Sequence, residues 1–457
     1  MLPEDALLEI FDWHLNRSIF YGIDFWQVLV HVCQKWRNLV FGSSHRLNLR
    51  LVCTGNKPVK KMLDIWPPLP IIILDDNLMA GKDNIVAALE QNDRVCRIRL
   101  KGLQNSLWEE VFTVMQEPFP ALTMMELESR GEEAPTVSDS FLGRPAPHLQ
   151  FLQLCGVPFP GLPKLLLSAT HLVTLHLWNV PRSGYIPPEA MVTALSALVT
   201  LKEFQLQFHS HRSYPDRERR HPPPLTRSVL PALTHLIFRG VTEYLEDPVA
   251  RIDAPLLDML EITFFRQLTF HTPQFAQFIG RTPNLMAYDE AHVVFSYYKA
   301  ELNLARHIGL KLEIYCNQSD WQLSMMAQVC TSSMPLISSL EHLYIHEYET
   351  RFIWPCWEDD IENVQWLELL HPFTTVKALY LSQAITSRIA PALEELVGER
   401  ATEVLPALQS LFLEEGKPSE PVQEAIDKFV ATRRLSNHPI VISHWNGKPV
   451  PWWRANK

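Results

Sequence analysis

The segments Leu149-Gln150-Phe151-Leu152-Gln153-Leu154 and Leu172-Val173-Thr174-Leu175-His176-Leu177 share one pattern, in which an apolar residue is followed by others three and five positions later. The last two of these three anchors are two residues apart, so they point to the same side of a short strand. The pattern recurs ten times in the 457-residue chain. Its anchors are Val95, Ile98, Leu100; Leu122, Met125, Leu127; Leu149, Leu152, Leu154; Leu172, Leu175, Leu177; Leu201, Phe204, Leu206; Leu233, Leu236, Phe238; Leu257, Leu260, Ile262; Leu340, Leu343, Ile345; Val376, Leu379, Leu381; and Leu408, Leu411, Leu413.

The repeat is irregular in length. First anchors lie 27, 27, 23, 29, 32 and 24 residues apart as far as Leu257, and the last two intervals are 36 and 32. The interval of 83 residues before Leu340 has room for two degenerate units, near Leu285–Tyr288 and Leu310–Ile314. Helical spacing of apolar residues between the strands is found at Ser106–Gln116, Glu189–Leu198, Asp320–Val329, Ile361–Leu370 and Arg388–Val397. These units are similar to leucine-rich repeats, although they lack the consensus asparagine, and they predict an α/β fold, a curved solenoid with a parallel sheet.

Composition excludes several classes of protein. The formal net charge of −10 argues against a nucleic-acid-binding protein, and the 47% of hydrophobic residues argues against disorder. The seven cysteines show no CxxC spacing, which indicates reduced thiols in a cytoplasmic or nuclear protein. No run reaches the roughly 18 apolar residues of a membrane span, and the first residues are acidic where a signal peptide is basic, so no membrane partner is expected.

Motifs for catalysis or cofactor binding are not found in the sequence. It contains no GxGxxG, GxSxG or HExxH, and its one GxxxxG is followed by leucine instead of lysine. His342 and His346 lie four apart on a predicted strand, roughly 13 Å along the chain, which is too far for one zinc ion. We therefore expect no catalytic residue, metal or cofactor, although an active site assembled from distant residues stays open.

The first 42 residues predict a small helical module instead of a repeat. Pro3 suits a helix start, and Leu7, Leu8 and Phe11 share one face of that helix. A second helix is predicted from Asp24 to Gly42, since its apolar residues recur at i, i+3, i+4 and i+7. A module of about 40 residues cannot easily build its own core, so it must dock on the repeats or lend its apolar face to a partner.

The module resembles an F-box. Leu2-Pro3-Glu4-Asp5-Ala6-Leu7-Leu8-Glu9-Ile10-Phe11 is similar to its opening, and Val32-Cys33-Gln34-Lys35-Trp36-Arg37-Asn38-Leu39 is similar to its second half. A terminal F-box before irregular leucine-rich repeats resembles many fungal F-box proteins. The resemblance implies binding of a Skp-type adaptor, and through it a cullin, by Leu2, Pro3, Leu7, Ile10, Phe11, Leu29, Val32, Cys33 and Trp36.

The resemblance implies a non-catalytic role, that of the substrate-recognition subunit of an SCF-type ubiquitin ligase. Two alternatives stay open: a scaffold or decoy that binds a partner without ubiquitination, and an enzyme with a repeat-built cleft. The identity of the target protein, a requirement for phosphorylation and the oligomeric state are not determined by the sequence.

Residues between the anchors are expected on the concave face of the solenoid, where they would contact a target protein. The basic cluster Arg97, Arg99 and Lys101 predicts an acid-binding end, and Trp178, Tyr344 and Tyr380 predict apolar contacts. The full set also includes Glu126, Glu128, Thr174, His176, His235, Arg239, His342, His346, Phe412 and Glu414.

Four regions follow from these patterns. They are an F-box module at 1–42, a linker with the first irregular repeats at 43–90, a solenoid at 91–435 and a C-terminal strand and tail at 436–457. Within the solenoid, His209–Pro224 and Gly131–Pro147 are predicted to be loops, because they are polar and rich in proline. The tail Pro451-Trp452-Trp453-Arg454 is either a cap on the last repeat or a binding peptide.

Overall fold

In the computed structural model, the described part of the chain contains 14 α-helices and 18 β-strands. It comprises residues 2–16, 26–75, 81–129, 134–143, 145–210, 226–265, 270–285, 288–304, 309–316, 318–333, 337, 339–347, 361–416 and 419–446. Most of the insert 209–224 and the tail 451–454 therefore lie outside the described residues. The contacts divide the chain into two units, Met1–Leu201 and Lys202–Lys457. Among the described residues, no helix combines the length and apolar character needed to cross a bilayer.

The N-terminal module consists of three helices, α1 (Glu4–Asn16), α2 (Trp26–Val30) and α3 (Gln34–Gly42). The prediction of one continuous helix ending at Gly42 is wrong, because the chain breaks before α3. Cys33 is extended, with φ −160°, and its Sγ accepts a hydrogen bond from the Trp36 amide at 3.5 Å. Cys33 is thus the N-cap of α3, a role that the continuous apolar spacing does not reveal.

The remainder of unit 1 alternates strands with helices, and all of its strand pairs are parallel. The strands are β1 (Leu51–Cys53), β2 (Ile71–Asp75), β3 (Val95–Lys101), β4 (Met124–Glu128), β5 (Phe151–Cys155) and β6 (Thr174–Val180). The helices are α4 (Val59–Ile65), α5 (Lys82–Leu89), α6 (Asn105–Val114), α7 (Leu162–Leu166) and α8 (Pro188–Ser196). The predicted helices at 106–116 and 189–198 correspond to α6 and α8.

Unit 2 continues the alternation with twelve strands and six helices in its described residues. The strands are β7 (Glu203–Phe208), β8 (Ser228–Val229), β9 (His235–Gly240), β10 (Ile252–Asp253), β11 (Met259–Phe264), β12 (Glu290–Phe295), β13 (Lys299–Leu304), β14 (Leu310–Tyr315), β15 (His342–Glu347), β16 (Ala378–Leu381), β17 (Ser410–Glu414) and β18 (Val441–Trp445). The helices are α9 (Thr242–Arg251), α10 (Pro273–Gly280), α11 (Ser319–Ser333), α12 (Asn363–Leu370), α13 (Gln383–Glu394) and α14 (Glu420–Leu435).

The sheet of unit 2 is mixed, which corrects the prediction of a purely parallel sheet. Its order is β7-β9-β11-β14-β13-β12-β15-β16-β17-β18, while β8 and β10 form a separate pair. β13 is antiparallel to both β12 and β14, so the chain passes through these three strands in reverse spatial order. One degenerate unit, Leu310–Ile314, lies in β14. The other, Leu285–Tyr288, falls partly outside the described residues; Pro283–Leu285 at its start is a 3-10 turn, and the next described strand begins at Glu290.

The anchors form the core of both units. All thirty anchor side chains are at most 6% exposed. Ile98, Met125, Leu152 and Leu175 are opposite one another in the strand register, so they stack in one row. Burial of a large apolar side chain contributes roughly 1.5–3 kcal/mol, which makes these rows the main stabilising feature.

Threonine hydroxyls connect successive repeats. Thr123 donates to the Cys96 carbonyl at 3.0 Å, Thr200 to Leu172 at 2.9 Å, Thr234 to Lys202 at 3.1 Å and Thr375 to Leu340 at 2.9 Å. Each acceptor lies 27 to 35 residues earlier, in the preceding unit. These bonds satisfy carbonyls near the strand starts. They help to connect each unit to the preceding one in a chain that lacks the consensus asparagine.

A fully buried arginine ties the last helix to the chain before β17. Arg433 in α14 donates to the carbonyls of Ala401 at 3.0 Å and Leu408 at 3.2 Å, with longer bonds to Leu405 and Pro406 at 3.4 Å. A planar guanidinium can reach several carbonyls at once, which the single ammonium of lysine cannot do. Arg433 therefore supplies hydrogen-bond donors to buried backbone carbonyls from the 3-10 helix Gly398–Thr402 to the start of β17.

We expect Arg433→Ala to lower the free energy of unfolding by about 2–4 kcal/mol, since it leaves buried carbonyls without a donor. Arg433→Lys should recover part of that loss. The exposed neighbour Arg434→Ala is the control and should change stability by less than about 0.5 kcal/mol. Urea unfolding of the full chain measures all three variants. Equal effects for Arg433→Ala and Arg434→Ala would contradict the proposed tie.

Candidate functional site

The sheet face opposite the anchors carries the residues predicted to contact a target protein. In unit 1, the register aligns Arg99 with Glu126, Gln153 and His176 across β3 to β6. Lys101 is aligned in the same way with Glu128 and Trp178. The structure therefore brings six predicted residues of unit 1 together in two adjacent rows, while Arg97 lies in a separate row with Met124.

The basic cluster of unit 1 is largely neutralised by that alignment. The Arg99 Nε lies 3.2 Å from a carboxylate oxygen of Glu126, and Lys101 pairs with Glu126 and, at 3.5 Å, with Glu128. Gln153 donates a further bond to Glu126 at 3.1 Å. Arg97 is exposed and lies beside Met124. Two of the three cations expected to bind an acidic target thus already contact carboxylates of the same face.

Trp178 is half-buried because it stacks on a neighbouring ring. Its ring centroid lies 5.4 Å from that of His176, with an interplanar angle of 12°, and Phe151 meets His176 edge-on at 5.5 Å. His176 itself is buried. The predicted apolar contact at Trp178 is therefore the exposed edge of a small aromatic group.

On β9, the predicted residues of unit 2 are engaged locally. His235 Nδ1 lies 2.8 Å from the Thr234 hydroxyl. The Arg239 guanidinium lies over the rings of Tyr315 and Phe265, at 5.0 Å and 5.5 Å from their centroids. Such cation–π contacts stabilise a cation by about 0.5–2 kcal/mol. Arg239 is thus held against the sheet.

The next strands, β11, β13 and β14, carry a network of ion pairs. Lys299 contacts Glu301 and lies 2.8 Å from Glu313, while Lys311 lies 2.6 Å from Glu313 and 3.5 Å from Glu261. Burial alone would lower the pKa of both lysines, but the carboxylates outweigh it and raise the pKa of each above its ordinary value. Burial would raise the pKa of Glu313, and the two lysines reverse that and lower it. All three groups are therefore charged at neutral pH.

Beyond this network, four rings form a continuous stack that we call the aromatic ladder, consisting of His292, Tyr344, Tyr380 and Phe412. Successive centroids lie 4.4, 4.1 and 4.3 Å apart, with interplanar angles of 5°, 13° and 7°. All four rings are half-buried. Their spacing is close to the 4.7–4.9 Å between strands, so parallel register places the rings face to face.

Two further rings flank the aromatic ladder. Trp445 meets Tyr344 and Tyr380 edge-on at 5.8 Å and 5.7 Å, and its Nε1 donates to the Leu381 carbonyl at 3.1 Å. On the other side, His342 Nδ1 lies 3.5 Å from the Tyr380 hydroxyl. The ladder is therefore fixed by packing on both flanks before any partner binds.

Two residues of this face, His292 and Trp445, and the ion-pair network around Lys299 are absent from the predicted site. His292 and Lys299 lie in the stretch without anchors, where the reversed strands β12 to β14 hide the repeat. The anchor pattern also ends before β18, so it gives Trp445 no position on the face. The alternation of apolar and polar side chains within β12 and β18 is the one sequence signal that indicates which face His292 and Trp445 lie on.

His346 lies at the end of β15 with its Nε2 buried and no hydrogen-bond partner for that atom among the described residues. Burial and the nearby His292 ring lower the pKa of His346 to about 4, against a weak opposing contact from the Glu347 carbonyl. Among the described residues no group of three or more His, Cys, Asp or Glu side chains is arranged to hold a metal ion.

The N-terminal module presents a second candidate surface. Leu2, Ile10, Trp13, Val28 and Val32 are each 48–61% exposed, although they are large and apolar. Ile10 and Trp13 are three residues apart in α1 and so share one face of that helix. We call this set the exposed apolar residues of the module.

The predicted adaptor-binding residues divide into two groups in the structure. Leu2, Pro3, Ile10, Val32 and Cys33 are exposed. Leu7, Phe11 and Leu29 are buried within the module, and Trp36 is half-buried with its ring 4.7 Å from that of Phe11. These last four support the helices from inside, so their side chains are not displayed to solvent in the way the exposed group is.

Comparison with known proteins assigns this chain to no family. No family model matches the chain. No curated protein matches it. Among solved structures, the leucine-rich repeat-containing protein LegL7 from Legionella pneumophila is similar, with a TM-score of 0.31 and 13% identity, covering 86% of this chain and 99% of that one. The leucine-rich-repeat-like fold therefore follows from the register and burial of this chain's own strands, and the F-box stays a prediction.

The lowered pKa of His346 makes a pH-dependent contribution to stability. Between pH 6.5 and about 4 the unfolded chain binds a proton that the folded chain does not, so stability falls as the pH is lowered through this window. We expect the loss to reach at most about 3 kcal/mol and to be removed by His346→Asn.

Urea unfolding at pH 7.5 and pH 4.5 measures the difference. The exposed His438→Asn is the matched control and should behave like the wild type. An unchanged pH dependence in His346→Asn would contradict the buried neutral state of His346.

Proposed function

We propose that this chain is a non-catalytic protein receptor. In this proposal the N-terminal module binds the Skp-type adaptor of a cullin–RING ubiquitin ligase, and the sheet face opposite the anchors binds a target protein. The alternative is a scaffold with the same target-binding face and no link to ubiquitination. Both roles need protein-binding surfaces and neither needs a cofactor.

The observation that carries the adaptor proposal is the cluster of exposed apolar residues of the module. Five large apolar side chains stand in solvent within the first 32 residues. Single exposed apolar residues are ordinary on a protein surface, but this density in so short a stretch favours a protein contact. Its position coincides with the stretch that resembles an F-box.

The module is also built to present those side chains rigidly. Phe11 and Trp36 join α1 to α3, and the Trp26 Nε1 donates to the Arg50 carbonyl at 2.8 Å. Arg46 pairs with Glu9 at 2.5 Å, which connects α1 to the chain after α3. A surface fixed in advance loses less conformational entropy on binding, which favours affinity.

The sheet face supports the second half of the proposal. It carries half-buried aromatic rings in both units, and aromatic side chains with a polar tip are enriched at protein interfaces. Ubiquitin transfer would then be promoted by holding the target near the ligase, because proximity converts a bimolecular step into an effectively intramolecular one. The receptor itself would perform no bond chemistry.

The contact between Trp36 and Phe11 determines the best test of adaptor binding. Substitution of Trp36 would remove a packing partner of Phe11, so the double variant Ile10→Asp/Val32→Asp is the sharper choice. It places two charges on exposed positions and should weaken binding to a purified Skp-type adaptor at least tenfold, because a charge at an apolar contact is desolvated without a partner. Calorimetry with the full chain measures the affinity.

The control is Ile65→Asp/Leu435→Asp, which changes two apolar positions outside the module that are more exposed than Ile10 and Val32. It should bind like the wild type, and circular dichroism should show that both double variants are folded. A wild-type chain that does not bind the adaptor would exclude the ligase role and leave the scaffold. A wild type that binds and is insensitive to Ile10→Asp/Val32→Asp would exclude this surface.

A further inference from the structure

The aromatic ladder lies in a strip of sheet whose strands carry carboxylates and no lysine or arginine. Strands β12, β15, β16, β17 and β18, all of whose residues the structure describes, contain no Lys or Arg. On the face opposite the anchors they carry Glu290 and Glu414. The neighbouring strands β11, β13 and β14 carry three carboxylates against the two lysines Lys299 and Lys311. Five carboxylates therefore face two ammonium groups from β11 to β18.

We propose that this strip binds a basic segment of the target protein, with an arginine or lysine side chain seated on the Phe412 ring. The inference rests on the proposed receptor function and specifies the chemistry of its target. It also reverses the sign expected from the sequence, because the basic cluster of unit 1 is paired with carboxylates while the strip in unit 2 has negative charge in excess.

Phe412 is the ring of the ladder best placed to receive a cation. One of its faces is stacked on Tyr380 at 4.3 Å. On the other side its register neighbour in β18 is Ser443, whose side chain is too short to cover an aromatic ring. Attraction of a cation requires the negative face of a ring instead of its edge, and the inner rings of the stack have both faces covered. The proposed cation-binding position, which we call the seat, is therefore the face of Phe412 that points away from Tyr380.

Carboxylates at the two ends of the ladder supply the long-range attraction, and Glu414 is the one next to Phe412. Glu414 follows Phe412 on the same face of β17, and one of its oxygens accepts a bond from the Gln383 amide at 2.7 Å. That bond holds the Glu414 carboxylate at the start of α13. At the other end of the ladder, Glu290 is buried and its Oε1 lies 3.8 Å from His292. A bound cation thus gains both ring and charge contacts.

This face already accommodates a cation over aromatic rings once. The Arg239 guanidinium lies 5.0 Å from the Tyr315 centroid and 5.5 Å from that of Phe265. The same pairing between a target arginine and Phe412 would be intermolecular. Arginine is expected to bind more tightly than lysine, because its planar, weakly hydrated group stacks on a ring at lower desolvation cost.

The test is fluorescence anisotropy with the full-length chain and three labelled peptides of equal length. One peptide alternates Arg with Gly and Ser, one replaces each Arg with Glu, and one replaces each Arg with Gln. We expect the Arg peptide to bind at least tenfold more tightly than the other two at 50 mM salt, and its affinity to fall as salt is raised. Equal affinity for the Arg and Gln peptides, or tighter binding of the Glu peptide, would overturn the proposal.

Variants locate the site. Phe412→Leu removes the ring at similar volume and should weaken the Arg peptide three- to tenfold, and Glu414→Gln should weaken it at low salt while keeping an acceptor for the Gln383 amide. Ser443→Phe covers the seat without removing any group and should also weaken binding. Glu424→Gln, which removes one exposed carboxylate from α14, is the control for net charge and should have no effect. Equal effects of Glu424→Gln and Glu414→Gln would overturn the assignment.

Adaptor binding is measured on the same preparations. Phe412→Leu and Ser443→Phe should bind the Skp-type adaptor like the wild type, so a failed peptide test with intact adaptor binding overturns this inference alone. Loss of adaptor binding in the wild type with intact, Phe412-dependent Arg-peptide binding would remove the ligase role and keep the basic target segment. Variants are compared only if their thermal unfolding matches the wild type.

Discussion

The alignment of anchors between neighbouring strands is the constraint on which the rest of the structure depends. Side chains alternate along a strand, so a slip of one residue would turn every anchor out of the core. Ile98 lies opposite Met125 and Leu343 opposite Leu379, each buried completely. Since the anchors fix the register, the residues between them are fixed as well. The rows of side chains on the opposite face, where we propose that a target binds, are thus determined by which residues are buried in the core.

The spacing of about 4.8 Å between neighbouring strands explains why the two faces of the sheet differ in chemistry. Neighbouring side chains on the exposed face are close enough to pair or stack, so each row becomes an electrostatic or aromatic series. Lys101 beside Glu128 becomes an ion pair, and Tyr344 beside Tyr380 becomes a stack. A row of like charges would repel itself across strands, which is why a basic strand is followed by an acidic one. A row carries an excess of one charge only where the neighbouring strands offer no side chain of the opposite charge.

The sequence predicts the anchors, most strands and the helices between them, because each depends on local periodicity. It does not predict β13, since an antiparallel strand between parallel neighbours is decided by pairing between residues far apart in the chain. It also does not predict the break before α3, where one backbone dihedral at Cys33 interrupts continuous apolar spacing. The predicted residues lie on the face opposite the anchors, but the sequence does not show which of their charges are paired between strands. Arg99 and Glu126 cancel only once their alignment is known.

The two proposed surfaces differ in the physical force that would dominate binding. The exposed apolar residues of the module offer area to be removed from water, a contribution that salt does not screen. The strip around Phe412 offers charge and a ring face, whose contribution falls as salt rises. A receptor of this design would bind its adaptor with an affinity that changes little with salt. Its affinity for a basic target would vary with ionic strength and would fall with any modification that removes positive charge from that target. Acetylation of a target lysine would weaken recognition, whereas methylation of the lysine, which keeps the charge, would not.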